Sequence, residues 1–394
     1  MALQCFMALC CSATRDAKRR PSLTDLLNDA DAETAYPSSD ATSRSSSIMS
    51  DGRSGSPSSG STTTLSKEVM DDVVGELINS VKPWEDGKFT RVKKLEDAVG
   101  NFGHVDMMRR EEDGVLVAVK QMPSHWVCTG PRSFHARNPD AAEQPWLDLA
   151  VLRHLNRMSF PHVCELLGVL RDEERTYVVT SLATEGDLFT WCTVQAKPGR
   201  EREATLHPVV VEVFSAVRML HEHGIAHRDL SLENVLLTIG EDGARRVRLI
   251  DFGMATTSRW CFREVRGKVP YRAPEMHLET QPYCPFMVDA FALGVLLFCM
   301  ATSDYPWAST KAGKCKLFEY IKKYGLRQFL ERRKCRKADG KMLIEVLSPG
   351  LAQVVQGLLA LETSSRYSMG GPALGGGGDG AAKTVWQAQW LGDI

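Results

Sequence analysis

Residues 226–253 read AHRDLSLENVLLTIGEDGARRVRLIDFG. Three oxygen-bearing side chains stand out: Asp229 and Asn234, five residues apart in a polar loop, and Asp251, which follows an apolar run. Val235 to Thr238 and Val247 to Ile250 read as strands, and Gly240-Glu241-Asp242-Gly243 between them reads as a turn. Two strands joined by a tight turn form a hairpin, whose outer ends lie together. Asn234 and Asp251 are therefore expected side by side. Hard oxygen ligands converging beside a candidate base, Asp229, suit Mg²⁺, which keeps several waters and is usually completed by substrate phosphates.

Working outward towards the N-terminus, residues 98–105 read AVGNFGHV, and Val117-Ala118-Val119-Lys120 follows. Small residues in such a loop let backbone amides approach phosphate oxygens. Thr90 to Leu95, Phe102 to Arg109 and Val115 to Met122 have strand character. Residues 146–158, WLDLAVLRHLNRM, have helical character, and Tyr177 to Thr180 reads as a buried strand. From Leu206 through His221 the chain reads as helical, and residues 267–275, beyond the opening stretch, read GKVPYRAPE.

Taken together these residues resemble the eukaryotic protein kinases. HRDLSLEN and DFG match that family's catalytic and metal-binding loops, AVGNFGHV its glycine-rich loop and VAVK its strand lysine. Ala98 stands where the family has its first glycine, a difference of one methyl group. The resemblance covers roughly residues 84–391 and implies an α+β, two-lobed protein-kinase fold. The small lobe (84–182) would be an antiparallel β-sheet plus one helix, and the larger lobe (183–391) mainly helical. ATP and Mg²⁺ are the implied cofactors, and serine or threonine hydroxyls of protein substrates the implied acceptors.

The same resemblance assigns roles. Asp229 would orient the acceptor hydroxyl and take its proton, while Asn234 and Asp251 would hold Mg²⁺. Lys120 would position the phosphates, supported by Asp148, with Glu143 as the competing carboxylate. Ala98, Gly100, Gly103, Val105, Ala118 and Leu236 would enclose the nucleotide. Ser181 to Thr184 would form the hinge, with backbone groups of Ser181 and Ala183 on adenine and Thr180 behind it. Asp187 would meet the ribose or a basic substrate residue. The calmodulin-dependent-kinase-like group is the most similar, and Asp187 with Glu233 implies tolerance for arginine before the acceptor. Cys299 stands where arginine-directed relatives carry a further acid.

Two departures carry information. The family's serine/threonine members place a lysine two residues after the catalytic aspartate and a threonine after the glycine of the later segment; here these are Ser231 and Lys268. The chain has exchanged hydroxyl and ammonium, so Lys268 is the candidate for returning the missing charge to the transferred phosphoryl group. Glu264 stands eleven residues before Glu275, where many relatives carry a phosphorylated threonine. A carboxylate there is expected to pair with Arg228 and hold the segment open. Asp289 is expected to brace the catalytic loop, and Glu275 to pair with Arg366. A catalytically weak pseudokinase serving as a nucleotide-binding scaffold is the alternative, resting on Ser231 and Ala98.

The chain has 394 residues, 43% of them hydrophobic, and a formal net charge of −1. That balance argues against nucleic acid as a partner. The eleven cysteines form no CxxC pair, which points to reduced thiols and a cytoplasmic compartment, with nuclear or membrane-tethered placement as alternatives. His125, Cys128 and His135 fit no standard metal spacing. No apolar run approaches the roughly 18–20 residues of a spanning helix. Residues 1–65 read as a Ser-rich disordered arm. Acylation of Cys5, Cys10 and Cys11 would give it a weak membrane tether. Residues 66–83 read as an amphipathic helix with Ser66 as N-cap, expected to pack on its own domain. Residues 370–380 read as a flexible Gly-rich insertion, after which Trp386 and Trp390 should dock back.

Overall fold

The computed structural model describes residues 67–98, 103–127, 130–139, 141, 143–370 and 383–392. The N-terminal arm with its three cysteines, Ser66, Gly100, Cys128 and most of the Gly-rich insertion lie outside the described residues.

Helix α1 (Lys67–Ser80) opens the described chain. Six strands then build one sheet: β1 (Lys82–Pro83), β2 (Phe89–Ala98), β3 (Gly103–Arg110), β4 (Leu116–Pro123), β5 (Leu166–Arg171) and β6 (Arg175–Ser181), in spatial order β1-β5-β6-β4-β3-β2. Five of them form the expected antiparallel sheet. The sixth departs from it: β1 pairs parallel with β5, and Pro83, three residues beyond the end of α1, keeps the chain extended along that edge. Two helices join the sheet where one was expected. Besides α3 (Pro145–Arg157), a short α2 (Pro131–Arg137) forms behind Pro131 at its first position and buries Phe134.

The larger part is helical around α5 (Arg200–Glu222) and α6 (Pro285–Thr302). A small sheet of β7 (Gly186–Asp187), β8 (Val235–Ile239) and β9 (Arg245–Leu249) lies in it, and α4 (Leu188–Thr193) follows β7 directly. The β8–β9 register, Val235 opposite Leu249, is the hairpin read from the sequence. The expectation that no run reaches membrane-spanning length fails at α6. Its 18 residues are long and apolar enough by length and composition, yet every one is buried inside the domain. Asp289 interrupts the run in sequence without ending the helix, since its charge is satisfied in place by neighbouring donors. Trp386 donates to the Met369 carbonyl at 2.9 Å and Trp390 to Glu203 at 2.7 Å, which docks the C-terminal segment.

Candidate active site

The catalytic loop hangs from α6. The Asp289 carboxylate accepts the backbone N–H of His227 (2.7 Å) and of Arg228 (2.8 Å) and meets His221 Nε2 at 2.9 Å. This fixes Arg228 in a left-handed conformation (φ 64°), matched by Asp251 across the site (φ 66°). Non-glycine residues hold such angles only where surrounding contacts over-determine them, and such strain clusters at functional sites.

Asp229 sits in a cradle of donors. Asn234 Nδ2 donates to its carbonyl (2.8 Å) and to Oδ2 (3.0 Å), and the Lys268 N–H donates to Oδ1 (3.1 Å). Burial, reinforced by the Asp251 charge, nevertheless pushes the Asp229 pKa up to about 7. A base poised there accepts a proton near neutrality. Because the amide nitrogen of Asn234 is committed to Asp229, its side-chain oxygen Oδ1 remains for a cation. The Ile250 N–H bond to the Asn234 backbone carbonyl (3.1 Å) brings Asp251 alongside. Asp251 makes no ion pair among the described residues. An amide oxygen and a carboxylate are the hard donors Mg²⁺ takes, so the residues fit that ion. Gly267 closes the cradle: at φ +83° its absent Cβ would lie 2.7 Å from the Arg228 carbonyl, so only glycine permits this approach.

Lys120 Nζ reaches Asp148 Oδ2 at 3.4 Å, so Asp148 rather than Glu143 is its partner, while Glu143 stays on the cavity wall. Burial disfavours the Lys120 ammonium, but Asp148, Asp251 and Glu143 outweigh it and raise its pKa. The other Asp148 oxygen accepts the Phe252 N–H at 2.8 Å, and the Gln144 N–H donates to the Gly253 carbonyl at 2.9 Å. The first turn of α3 is thereby tied to Asp251-Phe252-Gly253 by two bonds that side-chain motifs do not announce.

Lys268 Nζ donates to Ser231 Oγ at 2.9 Å and to Glu233 Oε2 at 3.0 Å. The exchanged pair is therefore in contact, beside Asp229. Glu233 is a partner the sequence reading missed; the signal was its place between Ser231 and Asn234 on the same loop. Its carboxylate is committed to Lys268, and both oxygens of Asp187 are committed to Thr190, as N-cap of α4 (2.7 Å) and to the hydroxyl (2.8 Å). The two acids expected to receive an upstream arginine are thus already engaged, and Cys299 is buried within α6.

Arg228 Nη1 meets Glu264 Oε2 at 2.8 Å and Cys261 Sγ at 3.4 Å, and Tyr283 donates its hydroxyl to the Glu264 carbonyl at 2.5 Å. The fully buried Arg366 grips Glu275 with two parallel bonds of 2.5 and 3.0 Å. Between the sheet and the helices lies a cavity of about 490 Å³, lined among others by Val105, Ala118, Thr180, Ser181, Ala183, Leu236 and Asp187. Ser181 belongs to β6 rather than to a free hinge, because its N–H bonds the Glu165 carbonyl and its Oγ accepts the Glu165 N–H, both at 2.9 Å. Ala98 and Gly103 face each other at the end of the β2–β3 hairpin. Glu96, absent from the sequence-based set, also lines the cavity, on a strand whose register shifts twice before it.

Comparison with known proteins agrees with this geometry. The chain is 31% identical over 229 residues to serine/threonine-protein kinase SBK2 of Rattus norvegicus, covering 55% of this chain and 58% of that one. It is 28% identical over 215 residues to serine/threonine-protein kinase SIK2 of Gallus gallus, covering 53% and 24%. With serine/threonine-protein kinase SBK1 of Danio rerio it shares 26% over 268 residues, covering 66% and 64%. The chain spans less than two thirds of each of these relatives. The protein kinase domain family matches residues 98–390, and the chain belongs to that family.

Proposed function

We propose that this chain transfers the γ-phosphate of ATP to serine or threonine hydroxyls of protein substrates, with Mg²⁺ as the metal. The observation that carries the reading is the convergence of Asp229, Asn234, Asp251 and the Lys120–Asp148 pair on one cavity. Phosphoryl transfer asks little covalent chemistry of a protein; it asks for positioning and for charge neutralisation.

The division of labour follows from the contacts. Asp229, held by Asn234 and the Lys268 amide, orients the acceptor hydroxyl and takes its proton as the oxygen–phosphorus bond forms. Lys120 is kept charged by the carboxylates around it and positions the phosphates. Asn234 and Asp251 would hold the metal, which when bound neutralises phosphate charge. The Lys268 ammonium, beside Ser231, sits where a positive charge would face the transferred group. Val105, Ala118 and Leu236 supply apolar walls for a purine, and the backbone of Ser181 and Ala183 its polar contacts.

Glu264 on Arg228 supports activity without prior phosphorylation of that segment. The seven cysteines among the described residues are all free thiols, which supports a reducing compartment. The test is transfer of labelled phosphate from ATP to generic serine and threonine substrates, with Asp229→Asn as control. Incorporation abolished by Asp229→Asn supports the reading; no incorporation above that control overturns it.

A further inference from the structure

Helix α1 ends at Ser80, ahead of residue 98, where the match to the protein kinase domain begins. It is not a free arm. Val73 and Leu77 are each 1% exposed, and Val74 joins them in a cluster with Trp146, Leu149 and Ala150 of α3. Phe134 of α2, in the irregular stretch between β4 and α3, seals the same cluster. The N-terminal helix α1 and the unexpected α2 therefore meet on one face of α3. Glu76 of α1 pairs with Arg157 at the far end of α3. The strand β1 then anchors α1 to the sheet edge.

The position of Asp148 explains why this matters. It lies in the first turn of α3, three residues after Pro145, and no side chain caps that helix end. Helix ends fray unless something ties them down. Here Trp146 and Leu149, on either side of Asp148, are pinned by α1 and α2 from behind. In front, Asp148 holds Lys120 and the Phe252 N–H, and Gln144 holds Gly253. A contiguous packed path runs from Leu77 through Trp146 to the residues that position phosphate.

We propose that α1 is a built-in activating clamp: its docking on α3 holds Asp148 at Lys120 and Phe252, and its release switches the site off. Val73 and Leu77 are thereby positioning residues for phosphoryl transfer, a role that rests on the transfer activity proposed above. The Ser- and Thr-rich arm joins directly to α1 in sequence, so a partner or modification that pulls on α1 would act on the site through this helix.

The full-length chain carrying Val73→Asp/Leu77→Asp tests it by two readouts. Turnover should fall at least tenfold, chiefly in kcat, while Val73→Ile/Leu77→Met keeps the parent rate. Hydrogen exchange should quicken over residues 67–80, 145–157 and 251–254 and stay slow over 285–302, which separates release of the clamp from unfolding. A second pair avoids core damage: Glu76→Arg should lower turnover, and Glu76→Arg/Arg157→Glu should restore it. Parent turnover with α1 released or still docked, or unfolding of 285–302 together with an inert Glu76→Arg, overturns the proposal. If the parent chain shows no transfer, the phosphoryl-transfer reading fails, and the exchange pattern over 145–157 and 251–254 still decides whether α1 holds those residues.

Discussion

The Nζ of Lys268 stands 2.9 Å from the Oγ of Ser231, and 3.0 Å from Glu233. A lysine that the family keeps on the catalytic loop is replaced here by one reaching in from the opposite segment. The charge has changed its point of origin but not its neighbourhood, because the Lys268 amide also bonds Asp229.

Lys268→Met should therefore lower kcat by about 10–100-fold with a small change in KM for ATP, since a charge facing the transferred group acts mainly in the transition state. Exchange of the pair, Ser231→Lys/Lys268→Thr, should recover part of the loss. Steady-state kinetics on one peptide substrate checks both, and full turnover in Lys268→Met ends the idea.

Glu264 is partly exposed while Arg228 is 92% covered, so removing the carboxylate takes the counter-charge from a buried guanidinium that keeps the Met254 carbonyl and Cys261. Glu264→Ala should cost about 1–3 kcal/mol locally, discounted for the exposed partner, and reduce turnover by loosening the segment. Phosphatase treatment of the parent protein should leave turnover unchanged. Loss of activity on dephosphorylation would show that the segment depends on a phosphate after all.

Asp148→Glu looks conservative, keeping the carboxylate and adding one methylene. It should nevertheless reduce turnover by roughly tenfold, because the shorter arm is built into the distance between α3 and the Phe252 N–H. An added methylene in so closed a site costs about 1–3 kcal/mol in displaced neighbours. A rate equal to or above that of the parent would contradict the geometry.

The raised pKa of Asp229 has a consequence for stability. Its carboxyl has an ordinary value of 3.8 and is pushed up to about 7 in the folded chain, chiefly by burial. The folded state then holds a proton that the unfolded state releases, so stability is greatest at low pH and falls as pH rises through that window. In metal-free protein, Asp229→Asn should raise Tm by several degrees at pH 8, less the one hydrogen bond its amide cannot accept, and the difference should vanish near pH 4. Equal pH dependence of parent and variant in thermal melts would refute this.

Much of the fold was legible in residues 226–253 because catalytic loops and hairpins are local. Turn chemistry sets the hairpin, and the hairpin brings Asn234 to Asp251. Arg228, Glu264, Glu275, Asp289 and Arg366 could be paired from their order along the chain because family resemblance supplies the long-range map. The same map gave no warning of α2 or the parallel β1. These arise from residues 123–144 and 82–83, where the family offers no template and any pattern is weak or short.

By itself, then, the sequence determined which charged groups exist and which of them are missing at Ser231. Only the tertiary structure decided how they are spent. Glu233 and Asp187 read as free acids along the chain, but one is neutralised by Lys268 from 35 residues away and the other caps its own helix. Asp148 and Glu143 were competing partners for Lys120 along the chain, but α3 is set so that Asp148 reaches both Lys120 and the Phe252 N–H. A side chain has only a few bonds to give, and which partner takes them depends on distances that packing alone establishes.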